Sequence, residues 1–581
     1  MPTPAPQAEQ FDVAVVGAGW NGLISAKTYL DFCPSARLVI IDDQATVGGV
    51  WSRARIYPTL FAQIKHGMFE YSFYPMRHEG ITEDGYVSGE TIHQYLVDFA
   101  HDFGLAARSR LSTTVTGVVQ LPDRRWRLEI AGSAPIECEK LIYASGAVSH
   151  PVMPTWPTAS SFTAPIIHSY DVGTHLDQLK AADVGTATVV GGAKSSYDTV
   201  FLLLKAGKRV HWIIRDSGGG PLAIMPPTLL GRFNTMDVLT MGITTMMGAC
   251  VFNTDGPVLH FLQRTLLGRF LAWLYWYIVN WLADSHAGYS KSENARKLRP
   301  LPHGNGMFWG NAGVGAASVP HFWRTFHSGD CTVHRAGIAS LGDGNTIQLD
   351  DGSAPFKTDY MILCTGFDKS YHVFDDATLR RCGLAVIMGP PKKEDIVMTR
   401  YNKRYELMFF RLINLAGLCA FQDTCYCVRQ PNRHYRWLIS PTLAAEGDRS
   451  VYFPGFIHSI YTPVVSETQA LWGVAFLLGL LDLPSKPEME RDVATWNVWT
   501  RKRYVVQGPK NAYGIYDFIS YINVLLKDLG VTVHHRRRNE GSWLSRLFAP
   551  TYPTLYTGMQ EEFRQLVAEK QVKAKLSKVK S

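Results

Sequence analysis

The sequence predicts an α/β fold made of two like units, the second inserted into a discontinuous first and carrying a helical apolar insertion of its own. Three observations predict it. A short apolar strand runs directly into a glycine turn and a helical stretch at residues 11–30, and again at 186–205. In both places a second apolar strand follows and ends on a charged residue. Two strings, LIYASG (Leu141–Gly146) and MILCTG (Met361–Gly366), each end a strand on a glycine, one on either side of the second unit.

Composition narrows the class before any motif is weighed. With 581 residues, 46% hydrophobic and only 19% charged, the chain is neither disordered nor a single small module. Aromatics at 12% suit the walls of a large apolar pocket. The net charge is +8, but Lys570, Lys573, Lys575, Lys578 and Lys580 crowd the end of the chain, so the body is only mildly basic. No nucleic-acid motif accompanies that tail or the run His534–Arg538, and no nucleic-acid partner is expected. Nine cysteines, an odd number spread widely, form no disulfide framework, and the N-terminus lacks a signal-type pattern. An intracellular protein, cytoplasmic or peripherally membrane-associated and not secreted, is expected.

The first unit opens with Phe11–Val16, read as a buried strand, followed at once by GAGWNG and the helical stretch 23–30. Gly17 permits the tight turn, Gly19 lets a pyrophosphate approach the backbone, and Gly22 lets the helix pack closely on the strand. The helix N-terminus then faces the phosphates. The strand Leu38–Ile41 ends in Asp42, 25 positions after Gly17, where a carboxylate accepts from ribose hydroxyls. Asp43 is the alternative for that role. This is the spacing of a Rossmann-like dinucleotide-binding domain. A second glycine turn, GGVW, adds Gly49 and Trp51.

The second unit repeats the frame with Thr186–Val190 and GGAKSSYD. Gly191 keeps the first glycine; Ala193 and Ser196 replace the other two, and they and Ser195 are small enough for close backbone approach. The strand Val210–Ile214 ends in Arg215, 24 positions after Gly191. A carboxylate binds a ribose diol but repels a 2′-phosphate, whereas a guanidinium grips that phosphate bidentately. The first unit therefore suits FAD and the second NADPH. Lys194 either adds a second cation near the phosphates or is a solvated first-turn lysine.

LIYASG and MILCTG read as the points where the chain leaves and re-enters the FAD domain, with Gly146 and Gly366 at the crossings. The expected division is 1–160 for the first part of the FAD domain, 161–345 for the NADPH domain, 346–480 for the second part, and 481–581 for a C-terminal extension. The apolar insertion falls at about 225–290, within the NADPH domain. Its strongest run is FLAWLYWYIVNWLA, Phe270–Ala283. As a helix of 14 residues it spans about 21 Å, short of the roughly 30 Å hydrocarbon core. It reads as a buried lid or an interfacial helix, with 258–283 as the segment for peripheral membrane contact.

The ordered set GAGWNG, GGVW, LIYASG, GGAKSSYD with Arg215, and MILCTGF resembles the class B flavin-dependent monooxygenases, in particular a fungal branch tied to secondary metabolism. The resemblance runs from about Phe11 to Ala470. It implies FAD, NADPH and O2, with hydride transfer to the flavin, oxygen activation at its C4a carbon, and delivery of one oxygen atom to an apolar organic substrate. The family fingerprint FxGxxxHxxxY/W falls on Phe162, Ala164, His168 and Val172. Phe and His are kept, the other two positions depart, and Tyr170 partly replaces the missing ring. The resemblance further implies catalytic roles for His168 and for Gln63, in the stretch Ile56–Gln63, and places Gln469 with SVYFPGF and SETQALW near the flavin. It leaves hydroxylation, epoxidation and Baeyer–Villiger insertion open.

Two rivals share the nucleotide frames: an NADPH-dependent reductase that never uses O2, and a non-catalytic redox sensor. The chain has no CxxC, so the dithiol reductases lose support, and Cys425 and Cys427 form only a CxC read as buried thiols. No HExxH or paired CxxC supplies a metal site.

Overall fold

The structure, a computed structural model, describes residues 7–248, 250–252, 256–310, 313–369, 371–384, 433–504, 512–531, 542 and 547–580. Its first sheet is built on Glu9–Val16, in which Val13, Ala14 and Val15 are fully buried, as a parallel strand covered on both faces requires. Leu38–Ile41 pairs with it on one side and Ile136–Tyr143 on the other, so that Val16 lies between Ile41 and Tyr143. Trp126–Ile130 and Val115–Gln120 extend the sheet antiparallel, and Val451–Tyr452 pairs with Ile136–Tyr143. Helix Trp20–Phe32 packs against Thr462–Leu477, a helix buried along almost its whole length, its polar residues Ser466, Glu467, Thr468 and Gln469 included.

The second sheet is all parallel, in the order Ile166–His168, Tyr360–Leu363, Thr186–Val190, Arg209–Ile213 and Cys331–His334. Val190 lies between Ile213 and Leu363, repeating the place of Val16 in the first sheet. The division expected at 345 is therefore corrected. The MILCTG strand is the second unit's counterpart of LIYASG, and the second unit runs on to about Gly366. Gly17, at φ +106, backs onto the carbonyl of Ala144, and Gly191, at φ +138, onto that of Cys364; a Cβ on either would collide with that oxygen. Each glycine turn is closed by the residue that follows its own crossing strand.

The C-terminal extension is built into the first unit. Helices Lys486–Arg503, Phe518–Leu529 and Met559–Lys580 contribute Trp496, Ile522 and Phe563 to the same core as Trp20 and Leu23. Arg436, mostly buried, pairs with Asp492 at 2.9 Å and Asp528 at 2.7 Å, tying two of these helices together. The apolar run forms a longer helix than expected, Leu266–Ala287, of 22 residues. Among the described residues no helix is long and apolar enough to cross a membrane. Cys425, Cys427 and the run 534–538 lie outside the described residues.

Candidate active site

In the first unit the two glycine turns face each other. A Cβ added to Gly49 would sit 3.1 Å from Gly19 Cα, so the two turns form this close-walled notch only because neither residue carries a side chain. Helix Trp20–Phe32 starts there with no side-chain cap, leaving its first amides for an anion. Asp42 lies at the end of its strand, 9% exposed, while Asp43 points outward. The Asp42 carboxylate accepts from the Ala18 amide at 2.6 Å and the Gln44 amide at 2.9 Å. Burial pushes its pKa up to about 6 against the opposing pull of those two amides. Each oxygen keeps a lone pair for a ribose hydroxyl. The Trp51 carbonyl accepts from His93 Nδ1 at 2.9 Å, fixing the GGVW turn, and Gly146 adopts φ +81 just beyond the crossing.

In the second unit helix Lys194–Lys205 also starts uncapped, with Ser195 half-buried in its first turn. Ser196 is buried and donates to the Ala193 carbonyl at 2.6 Å, closing the turn instead of facing a ligand. Lys194 departs from the expectation of a phosphate cation. Its ammonium sits 2.6 Å from a carboxylate oxygen of Asp198, whose pKa burial raises and the lysine opposes. Arg215 stands exposed at the strand end, its side chain lying over Gly218. No carboxylate pairs with it among the described residues. Arg335, at the end of the neighbouring strand, pairs with Asp216 at 3.3 Å and brings a second guanidinium to the same edge. Sequence reading missed Arg335, because its adjacency to Arg215 exists only through the pairing of strands far apart in the chain.

The stretch 56–63 joins the two units. Tyr57 is buried in the second unit's core, the Phe61 carbonyl lies 3.5 Å from Lys194 Nζ, and Gln63 Oε1 accepts from the Ala316 amide at 3.0 Å. His168 and Gly366 sit at adjacent strand ends. His168 Nδ1 accepts from the Tyr170 amide at 3.1 Å, so the proton is on Nε2, which donates to the Gly366 carbonyl at 3.0 Å. Burial lowers its pKa and keeps the ring neutral. Tyr170 accepts from Gln44 at 2.7 Å and carries the Arg55 guanidinium 4.2 Å above its ring, so it links the second unit to the Asp42 edge. Arg55 was a second residue invisible in the motifs. Gln469 also departs from expectation. It is fully buried, accepts from the Gly455 amide at 3.0 Å and donates to Tyr521 at 2.8 Å, so it brackets the core.

The family model for pyridine nucleotide-disulphide oxidoreductases matches residues 14–236. The FAD-dependent monooxygenase DEP4 of Alternaria brassicicola is 45% identical over 563 residues, which cover 96% of this chain and 95% of that one. The chain belongs to the FAD-dependent monooxygenases. A second fungal member, rstn6 of Aspergillus nomiae, is 33% identical over 93% of this chain and 96% of its own. Among solved structures, cyclohexanone monooxygenase from Rhodococcus sp. Phi1 bound to NADP+ shares the fold, with a TM-score of 0.57, 16% identity, and 91% of this chain and 98% of that one covered. The monooxygenase described here has no CxxC, so its likeness to the disulphide oxidoreductases lies in the nucleotide frames. The Gly19–Gly49 notch, the uncapped helix and Asp42 fit the FAD that this family requires.

Proposed function

We propose that this monooxygenase draws its electrons from NADPH and delivers one oxygen atom of O2 to an apolar, polyketide- or terpenoid-like biosynthetic intermediate. Hydroxylation, epoxidation and Baeyer–Villiger insertion all fall within this reading. The observation that carries it is the junction at 56–63, where the first unit, beside its FAD-type notch, touches the second unit through Tyr57, Phe61 and Gln63. Bound FAD and NADPH supply hydride transfer and oxygen activation.

The chain supplies placement. Gly17, Gly19, Gly22 and Gly49 hold the FAD diphosphate and Asp42 its ribose; Gly191 and the first turn at Ser195 hold that of NADPH. Arg215, with Arg335 beside it, takes the 2′-phosphate. Gln63 uses Oε1 to bind Ala316, which leaves its Nε2 to donate toward the nicotinamide or the flavin. His168 is a positioning residue, since both ring nitrogens hold backbone groups.

Anaerobic reduction with NADPH, followed by rapid mixing with O2, tests the reading. A flavin spectrum that is neither oxidised nor reduced, with substrate-dependent decay, is expected. Direct return to the oxidised spectrum, with all the oxygen recovered as hydrogen peroxide, would reject the NADPH-driven oxygenation proposed here.

A further inference from the structure

The insertion carries a surface that neither nucleotide unit uses. Helices Pro257–Arg264 and Leu266–Ala287 form a tight hairpin. Thr265 caps the second helix by accepting from the Gly268 amide at 3.0 Å, and Gly268 lies so close to the Phe261 carbonyl that any side chain would collide with it. On the outer face of the second helix, Leu266, Leu267, Phe270, Trp273, Tyr277 and Trp281 are each between 50% and 84% exposed. Five of these recur at helical spacing and form one stripe. The Phe270, Trp273 and Tyr277 rings stack along it, with centroids 5.9 and 5.3 Å apart.

This exposure is built in. On the inner face Trp276 donates to the Met247 carbonyl at 3.0 Å, and buried Asn280 accepts from the Met307 amide at 3.0 Å. Those bonds fix the rotation of the helix, so the apolar stripe cannot turn inward. A contiguous apolar face of this kind marks an interaction site, not scattered surface hydrophobics.

Composition decides the occupant. Exposed Trp and Tyr are side chains that favour the headgroup boundary of a bilayer. Between residues 257 and 283 the chain has Arg264 and Arg269 and no acid, and the first acid beyond, Asp284, pairs with Arg299 at 2.7 Å. An aromatic, one-sided hairpin with two arginines and no acid over residues 257–283, whose helices do not meet the requirements of a span, suits a surface bearing negative charge. We propose that helix Leu266–Ala287, with its hairpin partner, docks the enzyme flat in the headgroup layer of an anionic membrane. The inner face of the helix packs on Ala223 and Val314, and strand Val314–Ala316 bonds Gln63, so the docked face lies about one helix diameter from the junction. The docking claim itself does not depend on the substrate assigned above.

The test is sedimentation of the FAD-loaded enzyme with phosphatidylcholine vesicles, with and without phosphatidylserine. Wild type should co-sediment, more strongly with phosphatidylserine and less so in salt. Combined Phe270→Ser, Trp273→Ser and Trp281→Ser should lower binding at least about tenfold, with flavin content and melting temperature unchanged. Combined Arg264→Glu and Arg269→Glu should abolish the preference for phosphatidylserine. Brominated lipid should quench wild-type tryptophan fluorescence, a readout independent of any variant. The proposal is overturned if wild type sediments with neither vesicle, if the serine variant binds equally, or if no quenching occurs. It is equally overturned if wild type self-associates through this face and the serine variant becomes monomeric, which would assign the face to a second copy.

Discussion

Arg215→Ala separates the two nucleotide sites by their charge. Lys194 is neutralised by Asp198 at 2.6 Å, and Arg335 is shared with Asp216 at 3.3 Å, so Arg215 is the cation at this edge with no acid opposite it among the described residues. A charge-assisted bidentate contact to phosphate contributes up to about 3 kcal/mol. Arg215 is exposed, and solvent screening reduces this to about 1.5–2.5 kcal/mol, which corresponds to a roughly 10- to 70-fold loss. The assay is anaerobic stopped-flow reduction of the bound flavin over a range of NADPH and NADH concentrations. The dissociation constant for NADPH should rise by that factor, that for NADH should stay within about twofold, and the wild-type preference should weaken as salt rises. Equal losses for both nucleotides would remove Arg215 from the 2′-phosphate.

Lys194→Ala should behave differently: it leaves the buried Asp198 carboxylate without its cation, so stability should fall by about 3 kcal/mol in denaturant melts while the NADPH/NADH ratio is kept. Gln469→Leu leaves the Gly455 amide and the Tyr521 hydroxyl without one partner each, and melting should report a loss of about 2–4 kcal/mol, with the flavin spectrum of the folded fraction unaltered. Glu467, buried and accepting from Ser72 N and Oγ at 2.8 and 2.6 Å, has its pKa raised to about 7 by burial. The folded state therefore binds more protons than the unfolded between about pH 4.5 and 7, and stability falls as pH rises through that window, by about 3 kcal/mol in all. Glu467→Gln should flatten that slope in melts at pH 5 and 8, and an unchanged slope would show that other groups set it.

What was legible in the sequence was local. A strand, a glycine turn, a helix and the next strand occupy some thirty consecutive residues, and the places of Gly17, Gly191, Asp42 and Arg215 follow from spacing within one such frame. What was not legible depended on pairing at a distance. MILCTG has the strand character of a return to the first domain, yet Val190 pairs with Leu363, and only that register assigns it to the second sheet. Lys194 and Gln469 carry the right chemistry at plausible places, but Asp198, Gly455 and Tyr521 have already taken their polar atoms. A side chain's type predicts a ligand only while its hydrogen-bonding capacity is still unclaimed.

The same reasoning sets the role of His168. The ring bridges the strand that enters the second sheet and the one that leaves it, receiving Tyr170 N–H at Nδ1 and giving Nε2–H to Gly366. Phe367 packs edge-on against it at 4.8 Å. A proton shuttle needs a nitrogen free to change state, and here protonating Nδ1 would break the Tyr170 contact inside a buried site. Burial already lowers the pKa, so the neutral form should persist across the working pH range. His168→Ala should cost about 2–4 kcal/mol of stability and slow flavin reduction at every pH by a constant factor, because it loosens Tyr170, whose hydroxyl holds Gln44 of the first unit. His168→Gln, which can still donate to Gly366, should recover part of both. A loss confined to one limb of the pH–rate profile, with stability intact, would instead make His168 an acid or base in the reaction.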